Sequence, residues 1–300
     1  MISQNPHDKL IAVVCLLLFS SVAFAQDADG ASKLKISTPE EIRSEFDSVP
    51  CKNGDRQKAV KALFEKMGAK PEEIAVEKIG GVENVVIRKA AATESPEKIV
   101  IGAHYDKVPD GCGAIDNWTG IVALAHIYRS MKDLPLKKNA VFVAFGKEEE
   151  GLVGSSAMTG GIKKERAPEY CAMINIDSLG IGIPQTLDNV SSKKLIDFTI
   201  ALAKEMNVPF AHTSINGASS DSASFINKKI PAVTIHALND DWRKILHSSN
   251  DKPAKINHES VYVGYRVALA LLFRIDAADC QFFRDQKGKD QKSGEEKEKK

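Results

Sequence analysis

The residues able to do chemistry gather where apolar runs end. "KIVIGAHYD" closes on His104 and Asp106, and "GAIDN" follows with Asp116 and Asn117. "NAVFVAFG" runs into Glu148-Glu149-Glu150, and "CAMINID" ends at Asp177. Farther on, "SDSASF" supplies Asp221 and "LHSSND" supplies His247. Taken singly, each has a plain structural explanation. A lone histidine is usually hydrogen-bonded, an acidic turn is solvated, and an aspartate opening a helix is its cap. Converging on one rim, several carboxylates would repel one another and hold their protons more tightly. A bound cation removes that penalty. Two histidines with three carboxylates suit zinc, which takes neutral imidazole and ionised oxygen ligands, though cobalt or manganese would also accept them.

Such convergence needs a sheet whose strands run parallel, so that their carboxyl ends share one edge. The apolar runs at 74–79, 84–89, 98–105, 139–146, 171–177 and 231–238 read as strands. Apolar residues fall at helical spacing over 121–131, 193–206 and 261–275. Upstream, Thr38-Pro39-Glu40-Glu41 has the form of a capping box and opens a helix over 38–49. A second helix spans 55–67 and stops at Gly68. Alternation of this kind predicts an α/β fold: a single domain with a mostly parallel central sheet flanked by helices on both faces. Gly111 and Gly113 allow a sharp turn between His104 and Asp116, and Gly151 and Gly154 relieve the turn after the acidic triplet.

The rest of the chain narrows the setting. Its 300 residues are 43% hydrophobic, ample for a core, and 41 Lys and Arg against 40 Asp and Glu leave a net charge of +1. No nucleic-acid footprint follows from that balance. Residues 1–25 are expected to be a signal peptide. Lys9 precedes the run "LIAVVCLLLFSSVAF", which is short of the roughly 20 residues of a spanning helix. Ala23-Phe24-Ala25 is a small-x-small cleavage signal, although Asp8 is atypical of such leaders. A secreted or periplasmic protein is predicted, with its folded domain over 26–284 and no membrane span after cleavage. Cys15 leaves with the leader. Cys51, Cys112, Cys171 and Cys280 then allow up to two disulfides in three pairings, or buried free thiols. The mixed-charge residues 285–300 predict a disordered tail. Glycosylation sequons occur at Asn117 and Asn189, the first discounted if Asn117 lies beside a metal.

In order and character, "GAHYD…GAIDNWTG", "FGKEEEGLVGS", "NIDSLG", "SDSASF" and "LHSSND" resemble the co-catalytic dizinc aminopeptidase family over residues 98–251. That family includes secreted bacterial leucine aminopeptidases, carboxypeptidases, glutaminyl cyclases and the transferrin-receptor ectodomain. The resemblance implies the zinc exopeptidase fold and two zinc ions. Asp116 would bridge the ions, with His104 and Asp177 completing one site and Glu149 and His247 the other. Glu148 would be the general base acting on a zinc-activated water. Asp106 would stand behind His104 and fix its tautomer. Asn117 would follow the bridging aspartate, where the family often has a cis peptide. Asp221 would be a pocket or outer residue, or else a helix cap.

The activity implied is that of a secreted zinc-dependent metallopeptidase, an aminopeptidase acting on peptides or small amino-acyl substrates. The alternatives are a glutaminyl-peptide cyclotransferase working with one zinc, a dipeptidase or carboxypeptidase of the same family, and a non-catalytic binding ectodomain. A complete ligand set favours the hydrolase. Some positions depart from the family. Ser222 stands where a histidine is usual, no tyrosine lies between 215 and 225 to serve an oxyanion, Trp118 replaces a small residue, and Lys147 precedes the acidic pair.

Overall fold

The computed structural model describes residues 34–284, so the leader and the charged tail expected from the sequence lie outside the described residues. The chain opens with α1 (Pro39–Ser44), where Thr38 Oγ1 accepts from the Glu41 amide at 3.2 Å and Glu41 returns a bond to the Thr38 amide at 2.9 Å. This is the expected capping box. The helix is shorter than expected, because the chain tightens into a 3₁₀ turn over Glu45–Ser48. Next come α2 (Asn53–Lys66), β1 (Ile74–Ile79), β2 (Val82–Lys89), β3 (Lys98–His104), α3 (Thr119–Met131), β4 (Asn139–Phe145) and α4 (Val153–Gly160). They are followed by β5 (Tyr170–Ile176), β6 (Gln185–Leu187), α5 (Lys193–Glu205), β7 (Ala211–Thr213), α6 (Ser222–Asn227), β8 (Ala232–His236) and α7 (His258–Ala277).

The eight strands form one sheet in the order β1-β2-β4-β3-β5-β8-β6-β7. Its centre is parallel: β4 with β3, β3 with β5, and β5 with β8. Antiparallel pairs at β1/β2, β2/β4 and β6/β8 make the margins. The central strands are buried from their second residue onward, which is why they read as unbroken apolar runs rather than alternating ones. Both faces are covered. Val85, Ile87, Ile99 and Ile101 join the large core under α2, α3 and α7, whereas Val86, Val100, Val143 and Phe145 pack against Phe225 of α6 and Met158 of α4. The sequence did not reveal β6, β7, α4 or α6. These are strands of 3 residues and helices of 8 and 6 residues, too short for a period to register.

Disulfides join Cys51 to Cys112 and Cys171 to Cys280, which selects one of the three pairings. Among the described residues no helix is long and apolar enough to cross a membrane.

Candidate metal centre

Because β4, β3 and β5 are parallel neighbours, their exits deliver Glu148 and Glu149, His104, and Asp177 to one edge. Asp116 arrives from the turn between β3 and α3, and its peptide bond to Asn117 is cis. His247 comes from the loop after β8. Its backbone is left-handed at φ 56°, a conformation that a non-glycine residue adopts at some cost and that gathers at functional sites.

Asp116 is the hinge of the arrangement. Its Oδ1 lies 3.1 Å from His104 Nε2, which is also 3.4 Å from Asp177 Oδ1. Its Oδ2 lies 3.1 Å from His247 Nε2, which is also 3.2 Å from Glu149 Oε2. Each oxygen of one carboxylate thus faces a different histidine, and a second carboxylate completes each group. Donors about 2.0–2.2 Å from a tetrahedral cation lie about 3.3 Å from one another, so both sets of spacings suit shared ligation. Ligand atoms of His104, Asp116 and Glu149 all fall within 4.8 Å of one another. Glu149 Oε1 is buried with no partner, an acceptor that a cation would satisfy.

The electrostatics show the same demand. Burial, reinforced by Asp177, Asp221 and Asp116, pushes the Glu148 carboxyl well above the usual carboxylate range. Burial likewise raises Glu149. Asp116 goes the other way: burial opposes its ionisation, but hydrogen bonds from His104 and His247 outweigh that and hold its carboxyl low. Hydrogen bonds to Asp116 and Glu149 push His247 up to about 10. Burial works against a charged His104, yet Glu148, Asp106, Asp116 and Asp177 together raise it. Without a cation, protons hold this cluster together. A divalent ion would take their place.

A layer of buried groups fixes the ligands. Asp106 does more than stand behind His104. Its carbonyl, 3.2 Å from His104 Nδ1, is closer than its carboxylate at 3.7 Å. That carboxylate instead accepts the backbone amides of Glu148 and Glu149 at 2.9 and 3.1 Å, holding the acidic turn in place. Asn117, fully buried, donates to Ile176 O and accepts from Gly120 and Ser178, tying the start of α3 to the exit of β5. It is closed to a glycan, whereas Asn189 is exposed. Asp221 occupies the N-cap position of α6 without capping it, and both its oxygens are buried and unpartnered. Trp118 packs in the core. Ser222 bonds to Val190 O and Thr234, and Lys147 pairs at the surface with Glu150.

Two residues of this layer escaped the sequence reading. Asp251, 2% exposed, accepts the amides of Ile115 and Asp116 at 2.7 and 3.1 Å, while burial pushes its carboxyl up to about 6. It closes the "LHSSND" motif, but the sequence reading gave it no role. Arg56 is fully buried and donates to the carbonyls of Tyr105, Pro50, Cys112 and Gly113. It therefore ties together both ends of the loop between His104 and Asp116. A signal was there to be read: Arg56 shares the apolar stripe of α2 with the buried Val60, Leu63 and Phe64. Within the loop, a Cβ at Gly111 would stand 2.3 Å from Ser248 O, and at Gly113 2.7 Å from the Lys107 side chain, with φ of 68° and 64°. Both positions require glycine.

The candidate ligand groups and Glu148 line a cavity of about 240 Å³ together with apolar Leu187, Ala218, Leu238, Trp242 and Leu246 and polar Ser178, Ser219, Thr234 and His236. Among the described residues, no donor reaches the Glu148 carboxylate, which is left facing the cavity.

The chain is similar to known proteins. The model of peptidase family M28 matches residues 84–272. Aminopeptidase YwaD of Bacillus subtilis (strain 168) is 33% identical over 99 residues, covering 33% of this chain and 22% of that protein. The structure of BSAP, a zinc aminopeptidase from Bacillus subtilis, superposes with a TM-score of 0.59 at 22% identity, over 68% of this chain and 53% of that one. An Acidobacteriales bacterium glutaminyl cyclase superposes with a TM-score of 0.69 at 15% identity, over 84% of this chain and 98% of that one. The chain thus spans about a fifth of the length of YwaD and about half that of BSAP.

Proposed function

The chain belongs to peptidase family M28, and from that premise we propose that it is a zinc-dependent aminopeptidase holding two ions through one bridging carboxylate. The observation that carries this reading is the division of Asp116, one oxygen toward His104 and the other toward His247. His104 and Asp177 would complete one ion's protein ligands, and Glu149 and His247 the other's. Bound there, the two cations would supply a water acidified towards neutrality and a Lewis acid for the scissile carbonyl.

The protein's own groups divide the remaining work. Glu148 lies beside the candidate ligands with its carboxylate unengaged, and would be the base that takes a proton from the attacking water and returns it to the leaving amine. Asp106 fixes Glu148 and Glu149 through their amides, so base and ligand move as one piece. Asp251 and Arg56 set the path by which Asp116 enters. The apolar residues of the cavity receive the side chain of the residue being released. A free α-amine held at the cation group would limit cleavage to the first peptide bond. Secretion accords with the leader-like residues 1–25 and with two disulfides, which persist in oxidising compartments.

Bound metal and activity should be measured together. About two zinc ions per chain and chelator-sensitive, zinc-restored cleavage of leucyl p-nitroanilide are expected. Glu148→Gln should retain the metal and lose about 10²- to 10⁴-fold in kcat. One ion with cyclisation of amino-terminal glutamine and release of ammonia would instead establish the cyclase. A chain that binds no metal and cleaves no free-amine substrate would refute the proposal.

A further inference from the structure

The cavity at the candidate metal centre shares part of its wall with a second depression. Leu238 and Trp242 line both, the second being a groove of about 550 Å³. An aminopeptidase substrate extends from the reacting carbonyl in one chain direction only, away from its free amine. The groove adjoining the cavity at Leu238 and Trp242 offers room for the residues after the scissile bond. The groove contains Arg243, exposed, with its guanidinium carbon 4.5 Å from the centre of the Trp242 ring. Among the described residues Arg243 makes no ion pair. Its neighbour Lys244 takes Asp241 at 2.6 Å, and Asp240, which also lines the groove, forms no ion pair with Arg243. A guanidinium stacked on an indole keeps its N–H edge free in the plane of the stack, and the stack limits the freedom that binding would cost. Such an edge matches a carboxylate through two parallel hydrogen bonds. Asn216 and Asn239 add amide groups along the same groove.

We propose that this groove is a subsite for the leaving part of a short peptide, with Arg243 on Trp242 receiving a carboxylate, either the peptide's free carboxyl terminus or an acidic side chain. The assignment rests on the aminopeptidase reading and adds to it a preference for small, carboxylate-bearing peptides.

The test compares leucyl di-, tri- and tetrapeptides as free acids with their carboxyl-terminal amides, alongside leucyl p-nitroanilide. At the best-fitting length the free acid should show a KM about fivefold below that of the amide, a preference that added salt erodes, as for an exposed ion pair. Arg243→Ala should bring the acid-to-amide ratio to about one, and Arg243→Glu should invert it, the change lying in KM rather than kcat. A peptide amide carrying an internal aspartate separates the two sources: recovery of the preference assigns the subsite to acidic side chains, and its absence to the chain terminus. Only two tryptophans are present, so fluorescence of the Glu148→Gln protein carrying Trp118→Phe reports on Trp242 without turnover. Saturable change with the acid and a weaker response to the amide is expected. Equal KM for acid and amide at every length, or a ratio unaltered in Arg243→Ala, overturns the subsite and leaves the aminopeptidase standing. Cleavage of none of these substrates overturns both.

Discussion

Two stretches of chain meet on Asp116, and they are built in opposite ways. Residues 112–121, which carry Asp116, are buried throughout. They are held by Asp251, by Arg56 and by the bridge from Cys112 to Cys51. Residues 241–250, which carry His247, are mostly exposed, with Leu246 alone fully buried, and the His247 side chain is 52% exposed against 2% for His104. One wall of the centre is thus part of the core and the other is a surface loop. Ligand geometry tolerates little error, so at least one ligand group must be set by packing. Specificity can then vary on a loop without disturbing the fold. The free cation of the proposed subsite, Arg243, sits on that same loop.

The sharpest way to break the contrast is to remove its shared member. Asp116→Ala should lose both cations and bring activity to background, whereas His247→Ala should lose one and keep the fold, as metal analysis and circular dichroism would show. If His247→Ala also emptied the His104 side, the two walls would not be separable. A smaller effect is expected from Asp251→Asn, which leaves the ligands in place but turns one acceptor facing the Ile115 and Asp116 amides into a donor. A loss of about 10- to 100-fold in metal affinity or kcat/KM is expected, the range for a residue behind a ligand, measured by competition with a chromogenic chelator.

The smallest effect concerns protons. In the metal-free protein His247 has a folded pKa near 10 against an ordinary 6.5, and His104 is raised as well. Their contribution to stability is complete below about pH 6.5 and is lost as pH rises towards 10, because the folded state binds more protons there. The raised Glu148 acts in the same direction from about pH 4.5 upward. The Tm of metal-free protein should therefore fall from pH 7 to pH 9. With zinc present the fall should shrink or reverse, since metal binding expels those protons.

The contrast also explains what the sequence could disclose. The candidate ligands were legible because parallel strands end at a common edge, so His104, Glu149 and Asp177 could be placed together from three apolar runs. The supports were not, because their partners are backbone atoms far away in sequence: Arg56 bonds to carbonyls 49, 56 and 57 positions on, and Asp251 to amides 136 and 135 positions back. No periodicity connects such pairs. The acidic side chain of Asp106 was legible as a residue of the site, but its grip on the Glu148 and Glu149 amides was not, since that depends on how two strand exits face each other. Disulfide pairing was hidden for the same reason.

Arg56 has one more consequence, for where this chain can be cut. The family match begins at residue 84, but a chain shortened to that point would lose α2 and strip the Tyr105, Cys112 and Gly113 carbonyls of their common donor. It would also leave Cys112 without a partner. The first helices work as a keystone driven in from outside the matched arch, and the smallest piece that folds should begin well ahead of the smallest piece that aligns.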